Sequence, residues 1–189
     1  KVPIIEDVLG RRNVFALVKG RSNKTVIFIN HHDVVETSVY GEAEDYAYSM
    51  DELPAILRKL NPTKEQEEDL LSGQWLFGRG SNDMKGGMAV QLALLEEFSE
   101  KAQVLEGSVL FISVADEESF SDGMRSAIKL LEQLKETHNL SYEFLINSEP
   151  NPQINGKQIA YVGSVGKILP VVLVQGKTVQ LSNYKEGLN

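Results

Sequence analysis

The chain has 189 residues, of which 42% are hydrophobic, and this is enough to form the core of one ordinary domain. Its formal net charge of −8 argues against binding to nucleic acid or to an anionic membrane. The absence of cysteine excludes disulfides and thiolate zinc sites, and no signal sequence or apolar run long enough to span a bilayer is apparent. These features predict a soluble, cytoplasmic protein.

Short apolar runs alternate with segments of helical period along the chain. In chain order, the pattern predicts strands at 14–18 and 26–29, helices at 51–60, 64–71 and 85–98, a strand at 109–114, a helix at 121–136 and a strand at 144–146. The two longer helices have apolar stripes, at Met88, Leu92, Leu95 and Phe98 and at Met124, Ile128, Leu131 and Leu134. This alternation is typical of an α/β fold with a mostly parallel sheet.

Three of the predicted strands are followed directly by acidic or histidine residues. His31 and Asp33 follow the second strand, Glu117 and Glu118 follow the third, and Glu149 follows the fourth. Ligand sites in open α/β sheets lie beyond the carboxyl ends of the strands, so we expect these side chains to lie close together. A solvated surface role for the whole set is the alternative interpretation.

A sixth residue, Asp83, lies in a glycine-rich loop that leads into a predicted helix. Together with Glu118 and Glu149 it would place three negative charges in one pocket, which two divalent cations would offset. We therefore expect Asp83 to bridge two metal ions, His31 and Glu149 to complete one of them, and Glu118 to bind the other. Glu117 is the expected general base, with charge tuning as its alternative role.

These residues resemble the motifs of the zinc hydrolase family that contains acetylornithine deacetylase, succinyl-diaminopimelate desuccinylase and glutamate carboxypeptidase. His31-His32-Asp33 matches a His-x-Asp motif, and this implies that His31 is a ligand and that Asp33 orients it, although Asp33 could also be a structural cap. Asp83 begins an Asp-Met-Lys-Gly-Gly motif. The pair Glu117-Glu118 matches a base followed by a ligand, and Glu149 stands in the Glu-Pro context of the last ligand.

The resemblance implies a zinc-aminopeptidase-like three-layer α/β/α sandwich that holds two Zn²⁺ ions, with Co²⁺ or Mn²⁺ as alternatives. Three segments are most similar to the arginine-utilisation (RocB-type) branch, namely 75–80, 147–150 and 163–167. This branch implies hydrolysis of an amide bond in a small N-acyl amino acid or a short peptide during amino-acid catabolism.

Two departures from the family pattern limit what the resemblance implies. The sequence resembles the family only as far as the start of its small lid domain, so we expect 1–167 to be the N-terminal part of the catalytic domain and 168–189 the beginning of a truncated lid, the domain through which a full-length homodimer would form. The second metal then lacks a downstream histidine. Gln180 also stands where the family usually has a histidine that reaches toward substrate.

Two alternatives to a hydrolase therefore stay open. The chain could be a catalytically inactive metal-binding or regulatory relative. It could also be a peptide-binding module whose acidic site holds calcium, although calcium seldom has an imidazole ligand and His31 argues against it.

Overall fold

The computed structural model describes residues 2–3, 7, 9–163, 170–173 and 175. The chain divides into two compact units, Lys1–Pro150 and Asn151–Asn189. The second unit contains an antiparallel bridge between Ile154 and Lys157. Residues 164–167 and most of the predicted lid segment 168–189, including Gln180, lie outside the described residues. The predicted boundary at residue 167 stays a prediction.

The first unit alternates strands and helices as the sequence predicts. Its strands are β1 (Val2–Pro3), β2 (Arg12–Val18), β3 (Lys24–His31), β4 (Ser108–Val114) and β5 (Ser141–Asn147). Its α-helices are α1 (Leu53–Leu57), α2 (Lys64–Ser72), α3 (Gly87–Glu100) and α4 (Asp122–His138), and short 3₁₀ segments occupy Ser38–Tyr46 and Arg58–Leu60. An irregular helical turn, Ser81–Gly86, precedes α3. Within the described part of the chain, no helix combines the length and apolar character needed to cross a membrane.

The five strands form one sheet in the order β1-β2-β4-β3-β5. β3 runs parallel to both β4 and β5, whereas β2 runs antiparallel to β4 and β1 antiparallel to β2. Four strands therefore run in one direction and β2 opposes them. Its reversal follows from the short connection to β3, because two consecutive strands that run parallel in one sheet would need a crossover of a dozen or more residues. The parallel register brings His31 opposite Val114 and Ile29 opposite Asn147, so three carboxyl ends meet at one edge.

Helices α3 and α4 cover opposite faces of this sheet, which confirms the predicted α/β class. On one face α4 packs Ala127, Leu130 and Leu134 against a cluster that includes Leu110 and Ile112. On the other face α3 packs Met88, Leu95 and Phe98 against Phe28, Val109 and Phe111. Alternate residues of β4 thus pack into the clusters on opposite faces of the sheet, and all seven residues of this strand are buried.

The predicted helices differ from the observed ones in their ends and in their buried faces. The helix predicted at 51–60 is shorter, because Pro54 occupies its first turn and the last residues form a 3₁₀ segment before Asn61 at φ 52°. The predicted stripes were wrong at Leu92 and Ile128, which are 45% and 52% exposed. Gln91 is buried in the first helix and Leu130 in the second, so each buried face is turned from the predicted one.

Candidate metal centre

Three side chains from different elements meet at the carboxyl edge of the sheet. His31, the last residue of β3, is buried, and its Nε2 lies 3.1 Å from Oδ1 of Asp83 and 3.4 Å from Oε1 of Glu149. The three potential ligand atoms all lie within 4.8 Å of one another. One imidazole and two carboxylates are a donor set that suits zinc and other divalent metals.

The separations between these atoms fit a single metal ion. Two ligands bound at about 2.0 Å around a tetrahedral ion lie about 3.3 Å apart. The two observed distances from His31 Nε2, 3.1 Å and 3.4 Å, lie on either side of this value. The side chains therefore have the chemistry and spacing to bind an ion with only small movements.

The pKa values of these groups reveal excess negative charge in the pocket. Burial by itself lowers the pKa of His31. The charge of Glu149, the hydrogen bond to the Asp33 backbone oxygen, and the charges of Asp33 and Glu117 outweigh burial and raise this pKa. Burial raises the pKa of Glu149, and the charges of Asp83 and Glu117 raise it further against the opposing effect of His31. A divalent cation would relieve this repulsion and favour the deprotonated ligands.

Glu118 faces the same negative pocket but lies outside the three-residue cluster. Burial raises its pKa, and the nearby charge of Asp83 is the next largest cause. The binding of a second ion by Asp83 and Glu118 stays a prediction. Among the described residues, the one cluster of three metal-type ligands is His31, Asp83 and Glu149, and it does not include Glu118.

Asp33 connects His31 to the loop that carries Glu117 and Glu118. Its backbone oxygen lies 3.1 Å from His31 Nδ1, which fits a donated N–H in one tautomer. Its carboxylate accepts two backbone hydrogen bonds, from Glu117 N–H to Oδ1 and from Glu118 N–H to Oδ2, both at 3.1 Å. Asp33 therefore orients His31 through its carbonyl, while its carboxylate holds the glutamate pair.

The turn that carries Asp83 is attached to the end of β3. Met84 is fully buried and its Sδ accepts a hydrogen bond from His31 N–H at 3.1 Å. Lys85 donates from Nζ to the backbone oxygen of His32 at 3.1 Å. Asp83 has φ −107° and ψ 105°, outside the helical region, and the Asp83–Met84 peptide bond is cis. These contacts present Asp83 toward His31.

A buried glutamine that sequence analysis missed fixes the loop that carries Glu149. Gln91 of α3 is 2% exposed, and its Nε2 lies 3.1 Å from the backbone oxygen of Ile29 and 2.9 Å from Oγ of Ser148. Its Oε1 accepts a hydrogen bond from Asn30 at 2.9 Å. The sequence does carry a signal for its burial, because Gln91 follows Met88 by three residues and precedes Leu95 by four, a spacing that places all three on one face of the helix.

A cavity of about 240 Å³ opens beside the cluster and can admit a small group. Its polar lining includes Asn30, His31, Glu117, Asn147 and Glu149. Glu117 is exposed, so its carboxylate can meet both water and a bound substrate. The site thus combines metal-type ligands, a carboxylate suited to proton transfer, and a space for substrate.

Comparison with known proteins identifies related sequences. Residues 27–187 match the family described as Peptidase family M20/M25/M40. The chain is 36% identical to protein RocB of Bacillus subtilis (strain 168) over 98% of its length, and 36% identical to the uncharacterized protein YqjN of the same organism over 95%. It is also 30% identical to a succinyl-diaminopimelate desuccinylase of Beijerinckia indica over 84%.

The chain spans about a third of the length of these relatives, 34% of RocB and YqjN and 36% of the desuccinylase. The matched residues include all six predicted site residues, from His31 to Glu149.

Proposed function

The chain belongs to peptidase family M20/M25/M40, as its four motifs predict, and on this premise we propose that it carries the catalytic centre of a two-zinc hydrolase of amide bonds. The observation that carries the proposal is the convergence of His31 Nε2, Asp83 Oδ1 and Glu149 Oε1 at distances that suit one ion. The helices on both faces of the sheet support a zinc-aminopeptidase-like three-layer architecture for this part of the protein.

His31, Asp83 and Glu149 would hold one metal ion, and Asp83 and Glu118, together with a residue from elsewhere in the whole protein, would hold a second. Bound metal would lower the pKa of a water from about 15.7 toward about 7 and would polarise the substrate carbonyl. Zn²⁺ suits the mixed imidazole and carboxylate donors, and Co²⁺ or Mn²⁺ are alternatives.

Glu117 performs the proton transfers. A carboxylate oxygen of Glu117 takes a proton from the attacking water, and the same oxygen later gives the proton to the amine nitrogen that leaves. Asp33 keeps Glu117 and Glu118 in place through their N–H groups, so both side chains face the pocket in a fixed relation to His31. This division of roles makes Glu117 necessary for turnover and dispensable for metal binding.

We propose small N-acyl amino acids or short peptides as substrates. The similarity to a desuccinylase supports an N-acyl amino acid, and the small cavity beside Glu117 and Glu149 supports a compact acyl group. The similarity to RocB supports a place in arginine or other amino-acid catabolism. Dimerisation of the whole protein through its lid is a further part of the proposal.

The test is metal content and hydrolysis in the full-length protein and two matched variants. Glu117→Gln removes the base, and Glu106→Gln makes the same change on the exposed surface at the opposite end of the sheet. We expect about two zinc ions per chain, release of amine from N-succinyl or N-acetyl amino acids or from dipeptides, and unchanged metal content in both variants. Turnover should fall about 10²- to 10⁴-fold in Glu117→Gln alone.

Other outcomes would each support a different function. Equal loss of metal and turnover in Glu117→Gln would contradict the role of Glu117 as base. Bound zinc without turnover of any substrate would favour the non-catalytic relative. Calcium in place of zinc would favour the peptide-binding module.

A further inference from the structure

The loop that carries Glu117 and Glu118 is closed by the aspartate that precedes the pair. Asp116 is 3% exposed and has φ 64°, a conformation that is uncommon for a residue other than glycine. Its backbone oxygen accepts a hydrogen bond from Ser121 N–H at 2.7 Å, and its Oδ2 accepts one from Asp122 N–H at 3.1 Å. These bonds join the two ends of the segment that contains the glutamate pair.

The buried Asp116 carboxylate is paired with an arginine from the other end of the sequence. The guanidinium of Arg11, immediately before β2, donates to Asp116 Oδ1. The same guanidinium lies 2.7 Å from Oδ1 of Asp7 and 3.8 Å from Oδ2 of Asp122. A buried carboxylate needs hydrogen-bond and charge partners, and the guanidinium supplies one here, so Arg11 keeps Asp116 in its position.

Asn13, near the start of β2, contacts both ends of the loop that carries Glu117 and Glu118. Asn13 is buried, and its Nδ2 donates to the backbone oxygen of Gly123 at 2.7 Å. Its Oδ1 accepts a hydrogen bond from Ala115 N–H at 3.2 Å. The start of β2 therefore supports the loop from one side, and the Asp33 carboxylate binds it from the other.

We propose that Arg11 is a positioning residue that, through Asp116, sets the place of Glu117 and Glu118. This inference rests on the proposed function, since it concerns the base and a metal ligand of that site. Without the guanidinium, the Asp116 carboxylate has to turn toward water and its bond from Asp122 N–H is lost, which leaves the backbone bond from Ser121 N–H to close the loop. A displacement of about 1 Å at a catalytic group can lower the rate about 100-fold.

Hydrogen exchange tests this role without any reliance on activity. The test variant is Arg11→Met, which removes the guanidinium charge, and it is studied in the full-length, metal-free protein. Arg21→Met is the matched control, because its ion pair with Glu106 is exposed at the opposite end of the sheet, with side chains 62% and 81% exposed. Mass spectrometry would follow segment 115–123 and, as an internal reference, β3. We expect exchange in segment 115–123 to be about tenfold faster in Arg11→Met, with β3 and the Arg21→Met protein unchanged.

Kinetics tests whether Arg11 acts through Asp116. We expect Arg11→Met and Asp116→Asn each to lower kcat about 10- to 100-fold and to weaken zinc binding, since Glu118 moves together with Glu117, while KM stays close to that of the wild type. The double variant should be no worse than either single variant, and Arg11→Lys should recover part of the loss.

Three results would overturn the proposal. Unchanged exchange in segment 115–123 would show that Arg11 does not hold the loop. Faster exchange in β3 as well would show a general stabilising role, and additive losses in the double variant would show that Arg11 does not act through Asp116. If the wild-type protein hydrolyses none of the substrates, the proposed function fails, while the exchange data still decide the role of Arg11.

Discussion

Gly87, the first residue of α3, has no room for a side chain, and this makes a sharp test of the metal centre. A Cβ atom added there would lie 2.1 Å from the backbone oxygen of Ser148 and 2.7 Å from its Cβ. Real Cβ atoms essentially never approach other atoms within 3.0 Å. Gly87→Ala therefore requires the backbone oxygen of Ser148 to move by about 0.9 Å, from 2.1 Å to 3.0 Å. Ser148 is the neighbour of Glu149, so this movement reaches the metal ligand directly.

The expected effect falls on metal affinity as well as on folding. Overpacking costs about 1–3 kcal/mol, so the free energy of unfolding should fall by about this amount, which most domains tolerate. Ligand distances in metal sites are held within about 0.2 Å, so a shift of this size at Glu149 should weaken zinc binding at least tenfold.

The assay is zinc affinity by competition with a chelator, together with the midpoint of thermal unfolding. Gly20→Ala is the matched control, since its Cβ would lie 2.0 Å from the backbone oxygen of Gly107 at the amino end of β3 and β4. We expect both variants to lose stability, and only Gly87→Ala to lose zinc affinity. Wild-type affinity in Gly87→Ala, or equal loss in both, would refute the inferred link between α3 and Glu149.

Further expectations concern the residues that support the ligands. Gln91→Leu should destabilise the fold by about 1–3 kcal/mol and weaken zinc binding about 10- to 100-fold, because it leaves buried polar groups without partners. Chemical denaturation and zinc competition would check these two effects. Gln133 is exposed on α4, so Gln133→Leu is a control that should change neither stability nor zinc affinity. Asp33→Asn replaces one acceptor by an amide that cannot accept from an N–H, so kcat should fall about 10- to 100-fold with zinc retained in metal analysis, and wild-type kcat would contradict its hold on the glutamate pair. The pKa values of His31, Glu118 and Glu149 are raised, so these three groups bind more protons in the metal-free folded protein than in the unfolded chain. Burial lowers the pKa of His32, which acts in the opposite direction, but the three raised groups outnumber it. Stability should therefore fall as the pH rises from about 4.5, the ordinary glutamate value, to above 6.5, the ordinary histidine value. Thermal unfolding across this range, with and without zinc, checks the sign, and a metal-free protein that gains stability with pH in this window would contradict it.

The sequence alone predicted the elements that build the site because their signals are local. β3 and β4 are buried on both faces, so their apolar runs stand out from the flanking polar residues. Each predicted ligand lies within a few residues of a strand end or a glycine-rich turn, and parallel strands deliver their carboxyl ends to one edge. Chain order and the rules of parallel sheets were therefore enough to predict that His31 and Glu149 lie close together, whereas Asp83 was included because of its glycine-rich loop, its charge and the family motif.

Apolar composition did not predict the direction of β2 or the exact centre of the buried face of either long helix. An antiparallel strand in such a sheet has the same apolar composition as a parallel one, and the direction of β2 follows from its short connection to β3. Each predicted stripe was right at three of its four residues and wrong at one, because several spacings of apolar residues fit one helix. Packing against the sheet selected the face, which placed Gln91 inside and left Leu92 and Ile128 exposed.

The chemistry of the ligands was determined by the sequence, whereas their support was decided only by the tertiary structure. Residue types and their placement after strands set which side chains can bind metal and which can move a proton. The contacts that hold them join residues far apart, since Asp33 binds the N–H groups of Glu117 and Glu118, and Arg11 pairs with Asp116 across 105 positions. A hydrogen bond over such a separation leaves no periodicity or spacing in the chain, and it exists only once folding has brought its two partners within about 3 Å.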